Sequence, residues 1–226
     1  MHIPDGFIDA TTSAGAGVVA AGGVALSLWR AGKDSLEARA PMTGLVAAFV
    51  FSAQMLTFPV AGGTSGHLLG GLLAAVLVGP WLGALALTVV LVVQCLLFAD
   101  GGVSALGLNI INMALVPAFA GYALFWLARR VVPASRPGVL SATALAAFLS
   151  VVLAAAMFIL EYAVGGNGAA PIGTVAAAMV GVHVPIGLGE AAITTLAVGA
   201  VLSARPDLVY GARDLRRPAD ADPVPS

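Results

Sequence analysis

The chain opens Met1-His2-Ile3-Pro4-Asp5-Gly6, and a histidine in second place puts three nitrogens on one short stretch of backbone. The α-amine of Met1, the amide nitrogen of His2 and the His2 imidazole can close two fused chelate rings around one metal ion, leaving one in-plane position open. A planar field of nitrogens suits Ni(II) or Cu(II), whereas Zn(II) prefers a tetrahedron and Mg(II) or Ca(II) prefers oxygen. The only other histidines are His67 and His183. His67 follows Gly62-Gly63-Thr64-Ser65-Gly66, where glycines let another backbone come close and Thr64 or Ser65 can cap a helix that His67 opens. It is the candidate for the fourth nitrogen. His183 and Glu190 would stand about 10 Å apart along one helix axis, too far to share an ion, and both read as structural. The single cysteine, Cys95, lies in an apolar run, which excludes a disulfide framework and a thiolate cluster.

The rest of the chain must position these groups inside a membrane. Of 226 residues, 9% are charged and 60% hydrophobic, and the mean hydropathy is strongly positive, far from the range of soluble domains. The net charge of -1 gives no sign of nucleic-acid binding. Apolar segments at 8–30, 42–60, 67–79, 81–98, 106–128, 139–163 and 174–204 predict an all-α polytopic bundle of about seven helices. The third segment, about 20 Å long at 1.5 Å per residue, is short for a hydrocarbon core of roughly 30 Å. Residues 59–66 are therefore expected to dip into the protein interior, where irregular backbone is tolerated only if it is buried or lines a cavity.

Arg30, Lys33 and Arg39, then Arg129, Arg130 and Arg136, then Arg205, Arg213, Arg216 and Arg217 are the ten basic residues. With seven helices and the N-terminus outside, all three clusters fall in the cytoplasm with Trp29, Trp81 and Trp126 at the inner interface. No basic residue precedes Arg30, so a cleavable signal peptide is not expected and Met1 is expected to be the mature terminus. Residues 1–204 read as one transmembrane metal-binding domain. Residues 205–226, with four arginines, four aspartates and four prolines, read as a partly disordered cytoplasmic tail.

Five polar residues are candidates for supporting the site. Asn109 and Asn112 can hold the terminal loop, orient an imidazole, or bond neighbouring helices together. Asp5, in a Pro-Asp-Gly turn, is most simply a turn residue, with a contact to His2 as the alternative. Gln54 and Ser65 are candidates for closing the site.

Three blocks carry a family resemblance: Met1 to Phe7; Ala53-Gln54-Met55-Leu56-Thr57-Phe58-Pro59-Val60-Ala61-Gly62-Gly63-Thr64-Ser65-Gly66-His67-Leu68-Leu69-Gly70-Gly71; and Ala105-Leu106-Gly107-Leu108-Asn109-Ile110-Ile111-Asn112-Met113-Ala114. They resemble the NikM/CbiM family, the substrate-capture (S) components of energy-coupling factor transporters for nickel or cobalt, up to about residue 204. The resemblance implies an S-component bundle with an extra N-terminal helix whose terminus enters the core. It implies as ligands the Met1 amine, the His2 amide and imidazole nitrogens and the His67 imidazole. It also implies partners: a membrane coupling subunit, two cytoplasmic ATPases and often a small accessory membrane protein, all at the cell inner membrane. The opening Ile-Pro-Asp-Gly looks like the nickel branch, so Ni(II) is the expected cargo and Co(II) the alternative.

Rival classes fare less well. No Gly-x-x-x-x-Gly-Lys-Ser/Thr loop occurs, so nucleotide hydrolysis by that route belongs to partners. An intramembrane metalloenzyme would need an open coordination position beside a base, which four nitrogens in a plane do not leave. A self-sufficient secondary carrier would be expected to line its path with acids, and only Glu161 and Glu190 approach the membrane interior.

Overall fold

A computed structural model describes residues 1–33, 36–56, 58–59 and 65–215, with the backbone alone at 36–38, 58–59 and 65–66. The elements are α1 (Ala10–Ala31), α2 (Leu36–Gln54), a two-residue antiparallel pair of β1 (Phe58–Pro59) with β2 (Ser65–Gly66), α3 (Gly71–Val78) and α4 (Pro80–Phe98). A continuous helix, Leu106–Arg129, follows as α5 (Leu106–Ile110), a π-helical stretch (Ile111–Gly121) and α6 (Tyr122–Arg129); α7 (Arg136–Gly165) and α8 (Ile172–Ala204) complete the bundle. Each expected apolar segment contains a helix, although the helix in 42–60 ends at Gln54 and the one in 67–79 begins only at Gly71. Among the described residues, five helices are long and apolar enough to cross a membrane: α1, α4, Leu106–Arg129, α7 and α8.

Local chemistry sets the boundaries. The Asp9 carboxylate accepts from Thr12 N at 2.9 Å and Thr12 Oγ1 at 2.8 Å, capping the start of α1. Ser135 caps α7 through Gly138 N, and Pro80 takes the first turn of α4, where no N–H is needed. The π-helical stretch contains Pro117, which donates no backbone bond and crowds the carbonyl four residues earlier, a local reason for a widened ladder. By contrast, α8 runs unbroken through Pro185.

The short α3 is the centre of the molecule. All eight of its residues are buried, packed by α4, the π-helical stretch and the ends of α2, α7 and α8; a helix apolar on every side can sit only there. His67 does not open this helix. It lies in an irregular segment, 67–70, ahead of Gly71, and α3 has no side-chain cap of its own.

The two poles of the bundle differ in charge. At one, the Arg30 guanidinium lies over the Trp29 and Trp81 rings, Arg130 over Trp126, and Arg39 and Arg213 over Tyr210, while Arg129 pairs with Asp214. At the other, the first nine residues meet the loops at 100–104 and 165–167. Residues 206–215 form short 3-10 turns that seat Val209 and Ala212 in the core, burying two apolar side chains amid flanking charged residues. Residues 216–226 lie outside the described residues.

Candidate metal centre

The terminal loop is tied down residue by residue. Ile3 N donates to Asn109 Oδ1 at 2.8 Å, and Ile3 O accepts from Gly102 N at 2.8 Å and from Asn109 Nδ2 at 3.3 Å. The Ile3 side chain is fully buried with Leu108, Phe158 and Tyr162. The Asp5 carboxylate accepts from Ser104 N at 2.8 Å and Ser104 Oγ at 2.6 Å. Gly102 lies so close beneath Asp5 that a Cβ there would collide with the Asp5 backbone nitrogen. Farther along, Asn167 N donates to Phe7 O at 3.1 Å and Asp9 N to Gly165 O at 2.7 Å, with a bridge between Ile8 and Gly166. These bonds pair part of the loop's polar backbone with protein groups and fix its path.

His67 reaches the same place from the opposite side. Gln54 Nε2 donates to Leu69 O at 2.7 Å, and Gln94 Nε2 to Gln54 Oε1 at 2.8 Å. Glu190 on α8 accepts from Leu69 N at 2.7 Å and Gly70 N at 2.9 Å. Gly70 has φ +77°, a left-handed conformation that favours glycine, and Val50 fills the space a Cβ would need.

The nitrogens meet where the two segments converge. The Met1 amine lies 3.1 Å from His67 Nε2. His67 Nδ1 is 2.8 Å from Leu68 O; a carbonyl only accepts, so Nδ1 carries the proton and Nε2 presents its lone pair to the terminus. The His2 and His67 ring centroids are 5.2 Å apart. His2 Nε2 is buried without a hydrogen bond, 3.5 Å from Asp100 Oδ2. Among the described residues no three His, Cys, Asp or Glu side chains converge, so a nitrogen site here has to draw on the terminus itself.

The electrostatics keep these bases neutral. Burial lowers the Met1 amine from 8.0 to about 6 against the opposing pull of Asp100. His2 falls to about 4 and His67 to about 3, in both cases by burial first and by the neighbouring amine second. Deprotonated nitrogens crowded together are ready to receive a cation, since no proton has to leave them first.

The other candidates divide. Asn109 holds the terminal loop through Ile3. Asn112 instead donates to Glu161 Oε2 at 2.6 Å, bonding two helices. Asp5 does not contact His2; its carboxylate is taken up by Ser104. Gln54 supports the His67 segment through Leu69. The Ser65 side chain lies outside the described residues. His183 Nδ1 pairs with Met179 O at 2.8 Å, one turn back on its own helix. Glu190 has a part in the His67 segment that spacing arithmetic missed; the available signal was an acid inside an apolar helix.

The CbiM family, described as the cobalt uptake substrate-specific transmembrane region, matches residues 2–208. A protein of Archaeoglobus fulgidus named as a fused nickel transport protein is 37% identical over 209 residues, which is 92% of this chain and 68% of that protein. A cobalt transport protein of Sorangium cellulosum is 36% identical over 191 residues, 82% of this chain and 83% of that protein. The crystal structure of a transition metal transporter matches with a TM-score of 0.83 at 27% identity, over 96% of this chain and 100% of that one.

Proposed function

The chain belongs to the CbiM family, and from that premise we propose that this multi-pass membrane protein is the substrate-capture subunit of an energy-coupling factor importer, with Ni(II) as its cargo. The ion is held by the Met1 amine, the His2 amide and imidazole nitrogens and His67 Nε2. The observation that carries this reading is the 3.1 Å approach of the Met1 amine to His67 Nε2, two groups 66 residues apart in the chain. A similarity to transport proteins for either metal supports the transport class.

Each residue then has a defined task. Leu68 O fixes the His67 tautomer, so the ring offers a lone pair and not a proton. Asn109 and Ser104 hold the loop that carries Met1 and His2. Asp100 stands beside His2 Nε2, where a carboxylate raises the donor strength of a ligating ring. The His2 amide proton leaves as the ion binds. The site lies at the pole opposite the arginines, and the preference of basic residues for the cytoplasmic side supports an external site. Release to the cytoplasm would be driven by a membrane coupling subunit and two ATPases, with a small accessory membrane protein as a further partner.

Co(II) is the second reading, favoured by the description of the matched family. The test is metal content after desalting of the purified full chain, loaded with nickel or cobalt chloride. The wild-type chain should retain one nickel and hold it more tightly than cobalt. His2→Phe, whose bulky second residue keeps Met1 in place, and His67→Ala should each lose it. Full retention by either variant would refute the proposed ligand set.

A further inference from the structure

We propose that Glu190 is the positioning residue for His67, and that α8 thereby holds the metal site in its receiving pose; this rests on the ligand set proposed above. The Glu190 side chain is 2% exposed. Its Oε2 accepts from Leu69 N at 2.7 Å and its Oε1 from Gly70 N at 2.9 Å, across 121 and 120 residues of chain. Two consecutive amides gripped by two oxygens of one carboxylate fix the direction of the strand as well as its place. That strand begins two residues earlier with His67, whose ring is oriented by the intervening Leu68 carbonyl. From the other side, Gln54 donates to Leu69 O, so α2 and α8 hold the same peptide unit between them.

The alternatives are weaker. As a metal ligand itself, Glu190 would have to release the amides that occupy both its oxygens. As a mere packing residue, an ionisable acid in an apolar helix of 33 residues is costly, and an aliphatic side chain would serve better. The segment it grips supplies an explanation: Leu69 N and Gly70 N precede α3 and have no helical partner, and irregular buried backbone is tolerated only when satisfied by protein. Glu190 acts on the ion through His67 alone.

Nickel chloride titration of the purified full chain tests this with wild type, Glu190→Gln, His67→Ala and the double variant. Glutamine keeps one acceptor but turns an N–H2 group on the second amide. Glu190→Gln should bind one nickel with roughly ten- to hundredfold weaker affinity, the usual loss when the group orienting a ligating histidine is changed. In the His67→Ala background, where the three nitrogens of Met1 and His2 leave only a weak residual binding that desalting removes but titration still reads, the same substitution should change affinity by less than about threefold, because coupled residues are not additive. An equal loss in both backgrounds, or no loss in the first, overturns the assignment. If Glu190→Gln does not purify, Glu190→Asp carries the same cycle with the charge kept and the reach shortened. Nickel binding unaffected by His67→Ala would overturn the proposed ligand set and this assignment together, whereas a loss there with none for Glu190→Gln overturns this assignment alone.

Discussion

Lowering the pH should weaken nickel capture by a slope that the buried terminus makes unusually shallow. The perturbed amine near 6 and the imidazoles near 4 and 3 leave little to deprotonate at neutral pH. At pH 7 the ion then displaces about 1.1 protons, one from the His2 amide and the remainder from the amine. At pH 5 the amine is mostly protonated and the count rises to about 2. A terminus free in solvent with His67 equally exposed, at the ordinary values of 8.0 for the amine and 6.5 for both imidazoles, would release about 2.4 protons at pH 7 and about 4 at pH 5. The logarithm of affinity changes with pH by that number, so the docked and free cases differ more than tenfold per unit. Docking itself follows the same sign. The amine is a base whose folded value lies below its unfolded one, so the docked terminus holds fewer protons between pH 6 and 8; its stability is complete above pH 8 and falls as pH drops through 6. Calorimetric titration of the purified chain with nickel, in two buffers of different ionisation heat, counts released protons directly. A release of two or more at pH 7, climbing toward four at pH 5, would refute the argument.

Other perturbations read different links. Asn109→Ala removes both side-chain bonds to buried Ile3 and should cost about 1–3 kcal/mol of stability, seen as a lower melting temperature together with weaker nickel binding. Gly102→Ala drives a methyl into the Asp5 backbone; helix content by circular dichroism should be unchanged while nickel stoichiometry falls. Nickel at a hundred times its dissociation constant should stabilise the wild-type chain by about 2.7 kcal/mol, and this melting shift should be absent in His67→Ala.

The helices were legible because an apolar run long enough to cross a bilayer admits few other conformations; the brevity of 67–79 pointed to a dipping loop at 59–66, most of which lies outside the described residues. The pairing of Met1, His2 and His67 could be anticipated from nitrogen chemistry, since the chain has only three histidines and His2 shares a chelate with the terminus. What escaped were contacts between distant segments. Nothing local to Glu190 says that its carboxylate meets amides 121 residues earlier, and nothing in Val209 or Ala212 distinguishes an anchored turn from a solvated tail until the α3 surface they cover is known. Asn109 and Asn112, three apart, share a helical face by spacing, yet they diverge where the helix passes into its π-helical stretch, one to the terminal loop and one to Glu161. Asp5 was open between a turn and a contact to His2; the proximity of Ser104 settles its partner.

The most direct measurement is the anomalous difference density at the nickel edge in crystals of the nickel-loaded chain. The ligand set predicts one peak in a plane of four nitrogens, from the Met1 amine, the His2 amide, the His2 imidazole and His67 Nε2. A peak elsewhere, with the Met1 amine unliganded, would contradict it.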